Sequence, residues 1–419
     1  MTLLAIPPFL IFLVGAIAAG LAPSRFVALV VILTSVAAGA LGYFAPDGVY
    51  ARSVFLKYSL ELAVGTNWSN IAQLGLALSI LLIGIASKRS PDARAHVLGL
   101  SAAAFASGAI SAGDLVSMYL FLELLVITLV LLIALGRQPR SQWAAIHFMV
   151  IQLLASIVFK LGMSDFHHEF ETYSLSAINR PISELQFGWA LLLGVMVKLS
   201  AWPLAYLIPM GIKGSSLVGR LYIASSLPFA GLVCLHWLTG SGHSEQPFIL
   251  AAGGLMVGYA LIYSFANGAE GIERSARWVV GLTGIALVAL TSSNTLLVNM
   301  AVGLLPIGSV LLLSALPMHH AAPVDQGHVT TSSGGLLQRD TDRVLEFLVN
   351  RLVTPILELA QSLWSELISQ LNASLATILK AARAFAGERG LLGQVWGIGP
   401  TSLWVIALLG LYGVIYLVF

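Results

Sequence analysis

Charge is what this chain has least of. Of its 419 residues, 10% are Asp, Glu, Lys or Arg, against about 25% in a soluble domain. A water-facing surface cannot be built from so little. That excludes an ordinary cytosolic, secreted, disordered or nucleic-acid-binding protein. Cysteine is nearly absent: Cys234 stands alone inside an apolar run, so an intrachain disulfide is impossible. With no CxxC and no Cys/His cluster, the usual ligand sets for zinc, haem or an iron–sulfur centre are missing. Met1 to Ala22 carry no Lys or Arg. Their apolar stretch is longer than a signal h-region, which reads as a retained spanning helix.

What is present is hydrophobic. Apolar residues make up 58% of the chain and the mean hydropathy is +0.90. A spanning helix needs about 20 such residues. Runs of that kind fall near 3–22, 26–44, 68–87, 95–112, 115–136, 143–162, 187–209, 217–238, 248–266, 277–293, 295–315 and 399–419. The expected fold is an all-α polytopic membrane protein of about twelve transmembrane helices.

Alternating the connections tests this segmentation. One side collects Arg25, Lys88, Arg89, Arg94, Arg137, Arg140, Lys213, Arg274 and Arg277; the other receives Arg52, Lys57 and Arg180. Basic loops stay in the cytoplasm, so the N-terminus is expected outside. No organelle-targeting presequence is seen, and a bacterial inner membrane is the expected location. Two outer connections are long: 45–67, with the charges Arg52, Lys57 and Glu61, and 163–186, which is polar. The second contains His167, His168 and Glu169, a run that an exposed loop explains without a metal.

The organisation expected is a helix bundle over 1–316, a Pro-, Ser- and Gly-rich linker over 317–338, and an amphipathic lateral helix over 339–390. An anchoring helix over 391–419 completes it. In 339–387, Leu345, Leu348, Leu352, Ile356, Leu359 and Leu363 recur at spacings of three and four, the pattern of one helical face. The topology places this stretch on the cytoplasmic side, lying on the membrane surface or along neighbouring subunits.

Charges deep in a membrane helix are costly and mark function by default. Glu123, in DLVSMYLFLELLVITLVLLIALG, and Lys198, in FGWALLLGVMVKLSAWPLAYLIP, stand near the middle of their runs. Facing each other, both can stay ionised. Such a pair is either a switch, in which a change at one member alters the proton affinity of the other, or a static bond that fixes packing. Pro203 and Pro209 follow Lys198 and are expected to break that helix; broken helices at mid-membrane often line ion paths. Lys160, near an outer end, is a possible relay or a snorkelling side chain. Asp114 lies at a tight turn, where capping is the default role.

These residues carry a resemblance. DLVSMYLFLELL, with Asp114 and Glu123 nine positions apart, resembles the Asp-to-Glu segment of antiporter-like subunits. Such subunits occur in respiratory complex I, Mrp-type cation/proton antiporters and membrane-bound hydrogenases. Lys198 with Pro203 and Pro209 resembles that family's K-x4-P-x5-P motif. The segment from Arg339 onward resembles the lateral and anchoring helices of the largest such subunits. The resemblance implies a proton- or cation-translocating subunit of a multi-subunit complex, with Glu123 and Lys198 as the switching pair, Asp114 auxiliary and Lys160 a relay. It also shows departures: Ala205 replaces an expected histidine and Phe229 a central lysine. The alternative is therefore a non-transporting scaffold or coupling subunit. Expected partners are other membrane subunits, the bilayer, and protons or sodium ions. No cofactor or metal is expected, and any redox chemistry would belong to partners.

Overall fold

The computed structural model describes residues 6–44, 48–55, 58–64, 67–89, 92–136, 141–178, 181–239, 246–265 and 271–314. The linker, lateral-helix and anchoring-helix expectations over 317–419 lie outside these residues.

Each of the eleven apolar runs within that range forms helix: α1 (Pro8–Leu21), α2 (Ser24–Tyr43), α3 (Asn67–Ala86), α4 (Ala93–Ile110), α5 (Leu115–Ala134), α6 (Ser141–Phe170), a pair α7 (Gly188–Lys198) and α8 (Leu207–Gly214) from a single run, α9 (Leu217–Thr239), α10 (Gln246–Phe265), α11 (Gly271–Leu290) and α12 (Thr295–Ser314). Among the described residues, eight helices are long and apolar enough to cross a membrane. Their outward faces keep large apolar side chains uncovered. Leu33 is 60% exposed, Ile157 61% and Ile262 69%, as lipid contact requires and water does not favour. The chain is a multi-pass membrane protein.

Contacts between helix ends gather several of the connections at one end of the bundle. At one end, Gly20 approaches Val97, the His96 ring bonds the Tyr222 hydroxyl at 3.0 Å, Ser141 donates to the Gly214 carbonyl at 2.6 Å, and Lys213 pairs with Glu273 at 2.6 Å. These are the basic connections. Arg277, which also bonds Glu273 and the Tyr263 carbonyl, closes this end over α10. Arg220 donates from Nε to the Ile212 and Ser215 carbonyls, closing the C-terminus of α8.

The opposite end departs from the expected loops. Residues 45–67 hold a hairpin, with β1 (Gly48–Phe55) antiparallel to β2 (Tyr58–Val64), paired from Gly48↔Val64 to Phe55↔Tyr58. Alternating, β-branched and aromatic stretches such as VYARSVF favour that form over irregular loop. The hairpin and its neighbours are stitched by backbone bonds: Gly113 N–H donates to Glu61 C=O at 2.8 Å, Leu115 N–H to Tyr173 C=O at 2.9 Å, and Leu175 N–H to Gly113 C=O at 2.9 Å. Helix α6 runs on to Phe170, so His167, His168 and Glu169 occupy its last turn rather than a loop. The His167 ring stacks on Tyr173 at 4.3 Å. Among the described residues, no group of three His, Cys, Asp or Glu comes together.

Small residues set the interhelical spacing. A Cβ on Gly162 would lie 2.5 Å from the Leu191 nitrogen, and one on Gly194 would lie 2.7 Å from the Phe159 Cβ. Helices α6 and α7 therefore touch backbone to backbone, the small-residue contact that membrane packing uses in place of hydrophobic burial. Gly231 of α9 meets Leu199 the same way, with a would-be Cβ 2.6 Å from its Cα.

Candidate functional site

Three helices supply the site. Glu123 is the ninth residue of α5, Ser156 lies midway along α6, and Lys198 is the last residue of α7. The α6–α7 glycine contacts bring Ser156 and Lys198 together, and α5 closes the third side. Tyr119, one turn before Glu123, stacks on Phe159 of α6 with ring centroids 6.0 Å apart.

Lys198 Nζ donates to Glu123 Oε1 at 2.7 Å and to Ser156 Oγ at 2.7 Å. The Lys198 side chain is 2% exposed and that of Glu123 24%. The Ser156 hydroxyl donates in turn to the Gln152 carbonyl at 2.8 Å, and Gln152 Nε2 donates to the Val197 carbonyl at 3.3 Å. Lys198 itself is in the last turn of α7, the end of a helix where a basic residue is favoured.

The position of Lys198 follows from how α7 ends. Ser200 N–H bonds the Val197 carbonyl and Ala201 N–H the Met196 carbonyl, the paired pattern of a Schellman cap. Ser200 takes the left-handed position with φ 58°, where glycine is usual; a residue with a Cβ loses about 1–2 kcal/mol there. The cap corrects the expectation that the prolines break the helix. Helix α7 has already ended at Lys198. Pro203 lies in the connecting stretch, after a cis Trp202–Pro203 peptide. Pro209 is the third residue of α8, where the missing N–H would have had no intrahelical partner in any case.

Asp114 has a different place in the fold from the pair. Asp114 caps α5: Oδ1 accepts from Ser117 N–H at 2.8 Å, while Oδ2 accepts from the Ser117 hydroxyl at 2.5 Å and from Glu61 N–H at 2.6 Å. It is 2% exposed, and these donors hold it at the hairpin end of the bundle. Lys160 is exposed on α6, one turn past Ser156. Phe229 is fully buried in α9. The pattern of charges alone passes over Ser156, Gln152 and Ser200. The first two do leave a signal: two polar residues one turn apart in an otherwise apolar stretch of helix.

Residues 112–249, which contain this site, match the family model described as NADH:quinone oxidoreductase/Mrp antiporter, TM. A Na(+)/H(+) antiporter subunit of Bacillus subtilis (strain 168) is 26% identical over 251 residues, covering 56% of this chain and 46% of the relative. A probable K(+)/H(+) antiporter subunit of Rhizobium meliloti (strain 1021) is 25% identical over 246 residues, covering 55% and 44%. The chain spans just under half the length of the curated relatives it matches. A chain of the Mrp complex from Dietzia sp. DQ12-45-1b superposes with a TM-score of 0.65 at 15% identity, covering 75% of this chain and 36% of that one. A chain of respiratory complex I from Thermus thermophilus with bound NADH does so at 0.61 and 19%, covering 74% and 69%.

Proposed function

We propose, from homology to the Na(+)/H(+) and K(+)/H(+) antiporter subunits and to the antiporter-like membrane subunits of complex I, that this chain moves protons or cations within a larger membrane complex. Its working part is the Glu123–Lys198 pair. The carrying observation is the 2.7 Å bond between a buried ammonium and a carboxylate at a helix break. A buried ion pair is a poor device for stability, because desolvation offsets its Coulomb energy. It is a good device for switching, because protonating or displacing one member changes the charge its partner must carry. Both relatives are named for a metal cation and a proton, which supports a cation exchanged against protons. On this reading the basic end of the bundle is cytoplasmic, the membrane is a bacterial inner membrane, and Asp114 acts by fixing α5.

One observation favours a second reading, a scaffold or coupling role: fully buried Phe229 stands where the resemblance expects a lysine. Glu123→Gln in the intact complex, reconstituted in proteoliposomes, separates the two. Loss of proton movement with assembly retained supports transport. Unchanged movement overturns it in favour of the scaffold.

A further inference from the structure

We propose that the oxygens around the Lys198 ammonium form a binding site for a monovalent alkali cation, and that this ion and the Lys198 proton exclude each other. The inference rests on the reading of the pair as ion-moving and names where the exchanged cation sits.

The ammonium is held by oxygen: Glu123 Oε1 and Ser156 Oγ, each at 2.7 Å. A desolvated ammonium and a dehydrated potassium ion are close in size, and carboxylate, hydroxyl and amide oxygens are the donors that hard cations take. Two further oxygens lie near this pair in the chain and are not used by other described groups. Gln152 is fully buried one turn before Ser156 on α6. Its Nε2 bonds the Val197 carbonyl, next to Lys198, while its Oε1 has no partner among the described residues. Ser200, two residues past Lys198 and in the left-handed turn of the break, is also fully buried, with an Oγ that has no partner among them. Buried polar atoms are ordinarily bonded, so two unused oxygens on residues this close to Lys198 and Ser156 in the chain need an explanation, and a cation ligand set supplies one.

The charge balance selects a monovalent ion. The site has one carboxylate, and no group of three His, Cys, Asp or Glu assembles among the described residues. One positive charge neutralises Glu123; two cations side by side in a low-dielectric interior are not tolerated. An entering ion therefore requires an ammonium N–H bond to break. The proton leaves to water, the nitrogen keeps the electron pair, and the metal ion takes over the compensating charge. One cation enters for each proton released, with no oxidant or other reactant.

The test uses the purified complex in weakly buffered detergent solution. Sodium chloride, potassium chloride or choline chloride is added at equal ionic strength, with proton release followed by a pH indicator and sodium retention by radioactive tracer. The expected result is one proton released per sodium or potassium ion bound and none with choline. Lys198→Met should bind the ion without releasing a proton. Ser156→Ala should weaken binding by about tenfold, the order of one lost ligand, and Ser156→Thr, which keeps the hydroxyl, should restore it. Absence of cation-linked proton release, with proton movement still dependent on Glu123, overturns the inference and leaves the proposed function standing. Release that is equal in wild type, Lys198→Met and Ser156→Ala puts the site elsewhere and also overturns it. Proton movement indifferent to Glu123→Gln removes the proposed function, and the inference with it.

Discussion

The helices α5–α9 and the helices α10–α12 are built by the same packing device and differ in what they enclose. In the first group, Gly162, Gly194 and Gly231 bring backbones into contact around a buried lysine, a glutamate and a serine. In the second, Gly253 and Gly284 face each other's carbonyls at 2.8 and 2.6 Å from a would-be Cβ. The charges of α11 stay near its start, where Glu273 joins Lys213 and Arg277, and the rest of α11 is uncharged. Close packing is thus the general rule of the bundle, and α5–α7 add to it the buried Glu123–Lys198 pair. Packing alone holds α10 to α11 along that uncharged length, and the glycine contacts hold α6 to α7 without the ion pair, which joins α5 to α7.

That contrast can be broken or sharpened by substitution. The largest effect is expected from Lys198→Met, which leaves Glu123 without its partner. It should abolish ion movement and cost about 3 kcal/mol, the lower end for a broken buried pair because Glu123 is 24% exposed. Adding Glu123→Gln to it should recover most of the thermal stability of the complex but none of the ion movement. Next comes Gly231→Ala, whose Cβ would meet the Leu199 Cα at 2.6 Å. Overpacking predicts a loss of about 1–3 kcal/mol, read as a lower unfolding midpoint. In α10, Gly258→Ala meets nothing within 4 Å and should be neutral or add up to about 1 kcal/mol by helix propensity. If both substitutions behave alike, Gly231 is not a contact glycine and the packing around the pair is misassigned.

Between these two lies Asp114→Ala. Removal of the α5 cap should cost about 0.5–2 kcal/mol, and faster amide exchange at Ser117 and Glu61 should report it. Lys213→Ala, which breaks a half-exposed pair at the basic end, should change the midpoint by the equivalent of about 0.2–1 kcal/mol.

Much of this is legible in the residues, because lipid imposes a simple grammar: about 20 apolar residues per crossing, with basic residues on one side. Glu123 and Lys198 are visible because ionised side chains stand out against that background. What is not legible depends on local geometry. The hairpin carries period-two alternation, but between two apolar runs it passes for a polar loop. Pro203 and Pro209 look like the end of α7, whereas Ser200 ends it by adopting φ 58°, a choice that its residue type does not announce. Ser156 and Gln152 are neutral and gain meaning only when α7 is placed against them. Asp114 is readable as a cap from its place before an apolar run, but its bond to Glu61 N–H depends on the hairpin.

The meeting of α3 and α12 bears on how the chain is made. Gly75 and Gly303 touch so closely that a Cβ on either would strike the other helix, yet more than two hundred residues separate them. At about 5–20 residues per second, α3 waits roughly 10–50 s for the helix that fills its groove. During that interval the nascent bundle offers an open, glycine-lined seam to the lipid, and whatever occupies it first must be displaced when α12 emerges. The early helices can therefore enter the membrane in sequence, but this seam closes only when the twelfth helix arrives.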